Sequence, residues 1–268
     1  MSYFKTGIYT VFTKTRLPEM NSPYLVCGFP GSGYVGKLAI DYLIKQLNAN
    51  HLADIYSSEL PPQVTIRDDG NVDLMKNILY YKKGENNGVD LILLTGDAQP
   101  VNGNSEYTLA EEILKFVSQL HTSKIFTLGA YITGSFTETP RIFGAATNMQ
   151  ELMSLKSQKI SKIQTGSIVG MNGLLVGMGK LYGIDGICLL GETSGYVIDA
   201  NASKYLLEIL LSVLDLKINM EEIIKKSNDT ILLIRTIEQQ IEDRAKTLEP
   251  QQAEQIIQKK QPEMGYIS

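Results

Sequence analysis

Residues Tyr24–Leu47 read YLVCGFPGSGYVGKLAIDYLIKQL. Tyr24–Phe29 is apolar almost throughout, and Pro30 to Gly33 breaks the run. From Tyr34 onward, Val35, Leu38, Ala39, Tyr42, Leu43 and Leu47 recur at helical spacing. The stretch therefore predicts a buried strand, a glycine turn and an amphipathic helix. A strand without polar alternation is one covered on both faces, as in a parallel sheet.

Two phosphate-binding patterns overlap on this turn. Gly31, Gly33 and Gly36 fit G-x-G-x-x-G, and Gly31–Leu38 comes within one residue of G-x-x-x-x-G-K-[ST]. The second pattern supplies its lysine, Lys37, and Asp97 after LILLTG resembles the acid of a metal-binding strand end. Leu38, however, stands where a hydroxyl must hold the metal beside the phosphates. For a dinucleotide site, the ribose-binding acid would be Glu59, which Pro61-Pro62 follow at once. Glycines at a strand–helix junction also permit positive φ and close helix–sheet contact. The favoured reading is structural, with no cofactor: the turn holds no phosphate, and Gly36 faces a neighbouring strand or helix at a distance a Cβ would obstruct. The alternative is a nucleotide- or small-molecule-binding α/β protein, such as a hydrolase- or phosphorylase-like enzyme, using Gly31, Gly33, Gly36 and Lys37.

Outward from this stretch the apolar-strand pattern repeats in Val89–Thr95, Lys124–Ala130 and Gly186–Gly191. Helical periodicity lies between them, from a cap at Ser105 to about His121 and over Ala202–Leu216. Alternating strands and helices predict an α/β sandwich with a mostly parallel sheet. Thr6–Thr13 is an expected edge strand and Leu52–Tyr56 a short second strand. Val64 and Ile66, then Val72, Leu74, Ile78 and Tyr80, alternate around the turn Asp68-Asp69-Gly70-Asn71, which predicts antiparallel excursions. Ile142–Thr147 reads as a strand and Met149–Leu155 as a short helix. Gly166–Gly183 carries glycines at helical spacing and is expected to form a tightly packed helix.

The pattern changes at Asn219. Met220, Ser227, Ile234, Ile241 and Leu248 recur every seven residues, with Ile223, Thr230 and Ile237 as companions. This is an amphipathic helix of heptad character, weakened by Ser227 and Arg244, that packs on its own domain or on another subunit. The expected division is an α/β domain over 1–218, a helical extension over 219–260 and a flexible tail over 261–268.

Composition limits the function classes. Of 268 residues, 43% are hydrophobic and 20% charged, which supports a packed core rather than disorder. A net charge of −4 and no Lys/Arg cluster argue against general nucleic-acid binding. No apolar run reaches membrane-spanning or signal-peptide length, so the expected location is cytoplasmic with no membrane partner. Cys27 and Cys188 lie in apolar strands and read as free buried thiols. With two histidines, His51 and His121, and no Cys-x-x-Cys, no metal site is expected. There is no G-x-S-x-G, and the adjacent acids Asp68-Asp69, Glu111-Glu112 and Glu221-Glu222 point in different directions. No catalytic residue is assigned.

Six motifs occur in order: Gly28–Gly36, Glu59–Pro62, Leu94–Pro100, Pro140–Thr147, Gly170–Leu175 and Leu189–Tyr196. The series resembles the archaeal branch of the proteasome assembly chaperone family, the homologues of the second subunit of the eukaryotic chaperone pair. The resemblance covers about residues 5 to 225. It implies a three-layer α/β/α fold similar to nucleoside phosphorylases and related peptidases without their catalytic groups. It further implies a homo-oligomer that binds 20S proteasome α-subunits or related chaperone-like proteins, with no cofactor. Some family members dock through a C-terminal hydrophobic–tyrosine–any-residue motif whose carboxylate reaches a lysine. Here the chain ends Met264-Gly265-Tyr266-Ile267-Ser268, with tyrosine third from last and Gly265 in the hydrophobic place. The carboxylate is displaced by one residue, up to ~3.5 Å in an extended chain. Tyr266 and Ile267 are the candidate partner-binding residues.

Overall fold

The structure, a computed structural model, describes residues 7–12, 17–85, 88–155, 159–163 and 165–247. Along the chain come β1 (Ile8–Phe12), β2 (Tyr24–Gly28), α1 (Val35–Gln46), β3 (Asn50–Ser57), β4 (Val64–Ile66), β5 (Val72–Leu74), β6 (Asn77–Lys82) and β7 (Leu91–Gly96). They are followed by α2 (Gly103–Gln119), β8 (Lys124–Ile132), β9 (Ile142–Ala146), α3 (Met149–Ser154), β10 (Ile160–Lys162) and α4 (Met171–Gly179). The described chain closes with β11 (Asp185–Thr193), α5 (Ala200–Leu214) and α6 (Glu221–Thr247).

Nine strands form one sheet in the order β1-β3-β6-β7-β2-β8-β11-β9-β10. The central strands β7, β2, β8 and β11 are mutually parallel. Antiparallel pairing flanks them, through β6 and β3 on one side and β9 on the other. β4 and β5 form a separate antiparallel hairpin.

The apolar runs face both ways because side chains alternate across a strand. Leu25 and Cys27, Ile92 and Leu94, and Cys188 and Leu190 meet α2 and α4. Val26, Leu91, Leu93, Phe126, Leu128, Ile187 and Leu189 meet α1 and α5 on the other face. The result is the expected three-layer α/β/α sandwich. Both cysteines are free and buried, and burial pushes their thiols up, that of Cys188 to about 12.

Local details depart from the sequence reading. Asn102, not Ser105, caps α2: its Oδ1 accepts from Ser105 N at 3.0 Å. The glycine-rich segment is not one helix. Gly166 and Gly170 adopt positive φ, and α4 begins only at Met171. The heptad face of α6 is taken by its own domain: Ile223, Ser227, Thr230 and Ile234 are buried, with α6 lying along α5.

Candidate functional site

The glycine turn sits at the carboxyl ends of the central strands, where ligands bind in open α/β sheets. Gly31 is extended, Ser32–Tyr34 makes one tight turn, and Gly33 has φ +62°. Gly36 lies against β8: a Cβ there would come within 1.9 Å of the Leu128 carbonyl oxygen. The close approach of α1 to the sheet therefore depends on this glycine.

The turn is held on one side by the side chain of Gln99 and on the other by the backbone N–H of Asp199. Gln99, in the loop after β7, donates from Nε2 to the Pro30 carbonyl at 2.7 Å. Its Oε1 accepts from the Met171 N–H at 2.9 Å, tying the start of α4 to the turn. On the other side the Gly33 carbonyl accepts from Asp199 N at 2.8 Å. Thr193 Oγ1 donates to Asp199 Oδ2 at 2.7 Å, and Asp199 Oδ1 caps α5 by accepting from Ala202 N at 2.8 Å. Burial pushes the Asp199 carboxyl above its ordinary range, against those hydrogen bonds.

Lys37 points away from the turn. Its Nζ contacts Asp41 at 2.7 Å and donates to Thr95 Oγ1 at 2.9 Å. Thr95 Oγ1 donates in turn to Asp41 Oδ1 at 2.7 Å. Asp97 accepts from the backbone N–H of Lys76, and Glu59 accepts from Ser105 Oγ at 2.5 Å. Neither acid is placed beside the turn as its pattern would require. His51 lies 2.8 Å from Asp54 on β3, and His121 ends α2 at φ +56°. Tyr266 and Ile267 lie outside the described residues.

A second polar group braces the same end. Arg141 forks onto Glu192, Nε to Oε2 and Nη2 to Oε1, each at 2.9 Å. Those bonds hold the Glu192 carboxyl below its ordinary range, against the upward push of burial. The Arg141 guanidinium stacks over Phe143, which itself stacks on Tyr131 at 4.0 Å. Asn201 on α5 donates to the carbonyls of Thr137 and Glu138, and its Oδ1 accepts from Ser227 of α6 at 2.8 Å.

This end also leaves apolar side chains exposed. Tyr34, Tyr196 and Ile198 surround an open depression of ≈290 Å³ over the turn. Val101 and Val169 are exposed in adjoining loops. The hairpin β4–β5 adds Val64, Ile66, Val72 and Leu74, all exposed on one face. Clustered apolar exposure of this kind marks protein interaction surfaces. The functions of Gln99, Thr193, Asp199 and Asn201 were not separable by sequence. Their spacing carries no signal, although Gln99 and Thr193 fall inside motifs that recur in order.

Residues 25–240 match the model of the PAC2 family. The chain belongs to the PAC2 family. Two solved structures from Pyrococcus furiosus resemble it. PbaB, an archaeal proteasome activator, is 36% identical with a TM-score of 0.81, over 87% of this chain and all (100%) of that one. PbaA, an archaeal homolog of proteasome-assembly chaperone, is 26% identical with a TM-score of 0.69, over 88% of this chain and 99% of that one. A protein of Methanocaldococcus jannaschii described as uncharacterized is 34% identical over 225 residues, 84% of this chain and 86% of its own. Of the six motifs that suggested this family, Gly28–Gly36 forms the turn itself, and Gln99 of the third, Met171 of the fifth and Thr193 of the sixth belong to the hydrogen-bond network around it. Among the described residues, no helix is long and apolar enough to cross a membrane.

Proposed function

We propose that this PAC2 protein is a non-enzymatic assembly chaperone or scaffold of the cytoplasm, acting on 20S proteasome α-subunits. The observation that carries this reading is the likeness to an archaeal proteasome activator, at 36% identity over 87% of the chain. The carboxyl-end surface supports it, since exposed aromatic and aliphatic side chains supply affinity for a protein partner. α6 runs toward that same end: Lys45 meets Glu222 near its start, and Arg235 meets Glu138 beside the Asn201 joint. It continues to Thr247, roughly 18 Å beyond Arg235. This course favours Tyr266 and Ile267 as the anchor that reaches the partner. Copies of the chain associate as a homo-oligomer through the apolar face of β4–β5.

The test is capture of archaeal proteasome α-subunits by the purified chain and by a variant lacking residues from Gln261 onward. Capture that depends on the tail is the expected result; equal capture by both chains removes Tyr266 and Ile267 from the site. No capture by either removes the proteasome as partner.

One observation favours the second reading, a small-molecule site at Gly31, Gly33 and Gly36: the depression over the turn adjoins the start of α1, and helix N-termini attract anions. Against it, Lys37 is committed to Asp41 and Thr95, and the Asp199 carboxylate borders the turn. Calorimetric titration with ATP, NAD and purine nucleosides decides it, and no binding below millimolar is expected.

A further inference from the structure

The sheet ends at β10, on its β9 side. Among the described residues β10 pairs only with β9, in parallel register: Ile160 opposite Ile142, Ser161 opposite Phe143 and Lys162 opposite Gly144. Ile163 N donates to the Gly144 carbonyl. Alternation along a strand then gives the inward backbone groups to Ser161 and Ile163. Ile160 and Lys162 turn their N–H and C=O to the open side. An unpaired edge of this kind is a template for another strand.

Beside that edge runs a groove of ≈240 Å³ between β10 and α3. Leu155, buried, and Ile160 line it, and Ile160 packs against Gly144 so closely that a Cβ there would lie 2.8 Å from its Cγ2. Met149 and Met153 of α3 line the opposite wall and are half exposed. Methionine walls adapt to varied apolar side chains. α3 is anchored without these methionines. Asn148 caps it, and Glu151 is paired with Lys124 at 2.6 Å. Pairing neutralises that acid, while Lys162 lines the groove and Lys159 is exposed just before β10. Among the described residues no ion pair engages Lys162.

We propose that the β10 edge and the groove beside α3 form a strand-addition site for an extended segment of a partner protein bearing an apolar and an acidic side chain two residues apart. Each determinant of the occupant comes from a separate feature. The open backbone groups of Ile160 and Lys162 require an extended chain, since strand addition draws affinity from main-chain hydrogen bonds. Ile160, Leu155 and the methionines require an apolar side chain on the groove face. Ile160 and Lys162 share that face about 6.6 Å apart along the strand. The residue opposite Lys162 is therefore two positions from the apolar one, and its complementary charge is negative.

The experiment uses the full chain and fluorescence anisotropy with labelled, end-blocked octapeptides. The first probe is a threonine peptide with leucine at its third position and glutamate at its fifth; the second carries lysine in place of glutamate. The glutamate probe is expected to bind at least about tenfold more tightly than the lysine probe, with Lys162→Glu reversing the preference. Met153→Asp is expected to weaken the glutamate probe about tenfold, and N-methylation of alternate peptide bonds to abolish its binding. Circular dichroism confirms that both variants are folded; both substitutions are at exposed positions. Three results overturn the proposal: no saturable binding of the glutamate probe, a preference unchanged by Lys162→Glu, or undiminished binding of the N-methylated probe. A fourth probe with the sequence of Glu263–Ser268 controls for self-docking, and binding of that probe alone overturns it too.

Discussion

A Cβ on residue 36 would stand 1.9 Å from the Leu128 carbonyl oxygen, and backbone cannot rotate out of the way as a side chain can. Gly36→Ala is therefore expected to lower unfolding free energy by about 3 kcal/mol or more in urea titrations. Gly177, on the same kind of helix–sheet layer, has nothing within 4 Å of such a Cβ. Gly177→Ala is expected to raise stability by about 0.5–1 kcal/mol, the helix-propensity gain alone. The two glycines look alike in the sequence, and only the distance to a neighbouring strand separates them. That Gly36 is structural was legible because it opens a helix directly after a buried strand. That Gln99 ties the turn to α4 was not, because its partners, Pro30 and Met171, are far away in the chain and an amide side chain has no periodic signature. Two acids at this end are shifted in opposite directions, and their pH dependence should differ in sign. Glu192 is held below its ordinary range by Arg141, so its contribution is present above that range and lost as pH falls through the lowered value. Arg141→Met should then cost about 1 kcal/mol at neutral pH, a figure discounted for the exposed guanidinium, and the cost should shrink below about pH 4. Asp199 is raised by burial, so its contribution is greatest in acid and is lost as pH rises through the raised value. Asp199→Asn keeps a capping side chain and should flatten that acid-range slope while changing neutral stability by no more than about 1 kcal/mol. Denaturant titrations at several pH values measure both slopes.

At the scale of elements, the apolar strands were readable because each had to be apolar on both faces, and β2, β7, β8 and β11 are the four strands so covered. The flanking order was not readable. Nothing in Asn77–Lys82 says that it pairs with both β3 and β7, a choice made by long-range contacts. α6 teaches the reverse lesson. Its heptad was plain, and Ser227 looked like a defect in it. In the structure Ser227 is buried and donates to Asn201 Oδ1, whose amide nitrogen donates to two carbonyls of the loop after β8. One polar position thus joins α6, α5 and that loop. Restoring the heptad with Ser227→Leu should destabilise by about 2–4 kcal/mol, because it leaves a buried acceptor unpaired and overfills a packed site. Ile234→Ala, on the buried face, should cost about 2–4 kcal/mol, whereas Leu232→Ala, at an exposed position, should stay within about 0.5 kcal/mol. Equal losses at 232 and 234 would mean that both faces of α6 are covered.

At the scale of the whole molecule, the hairpin β4–β5 presents a contiguous exposed apolar row at the carboxyl end of the sheet. Val64 pairs with Leu74 and Ile66 with Val72, so the four side chains share one face, while Thr65 and Asp73 occupy the other. Ile66 is 75% exposed and Val72 61%. A two-stranded hairpin is marginal in water unless its apolar face is covered. Arg67 pairs with Asp73 on this hairpin, but that exposed contact contributes little stability. A second copy of the same chain offers the same apolar row, and a self-complementary patch is what a two-fold interface requires. The full chain should therefore sediment as an oligomer whose apparent mass rises with concentration until it saturates. The double variant Ile66→Glu, Val72→Glu places four carboxylates at each two-fold contact, and should sediment as a smaller species with an unchanged circular dichroism spectrum. An unaltered sedimentation profile in that variant would move self-association to another surface. A wild-type chain that remains monomeric at every concentration would leave the hairpin face for a different protein, and the capture experiment with proteasome α-subunits should then be repeated with the same double variant to see whether binding is lost.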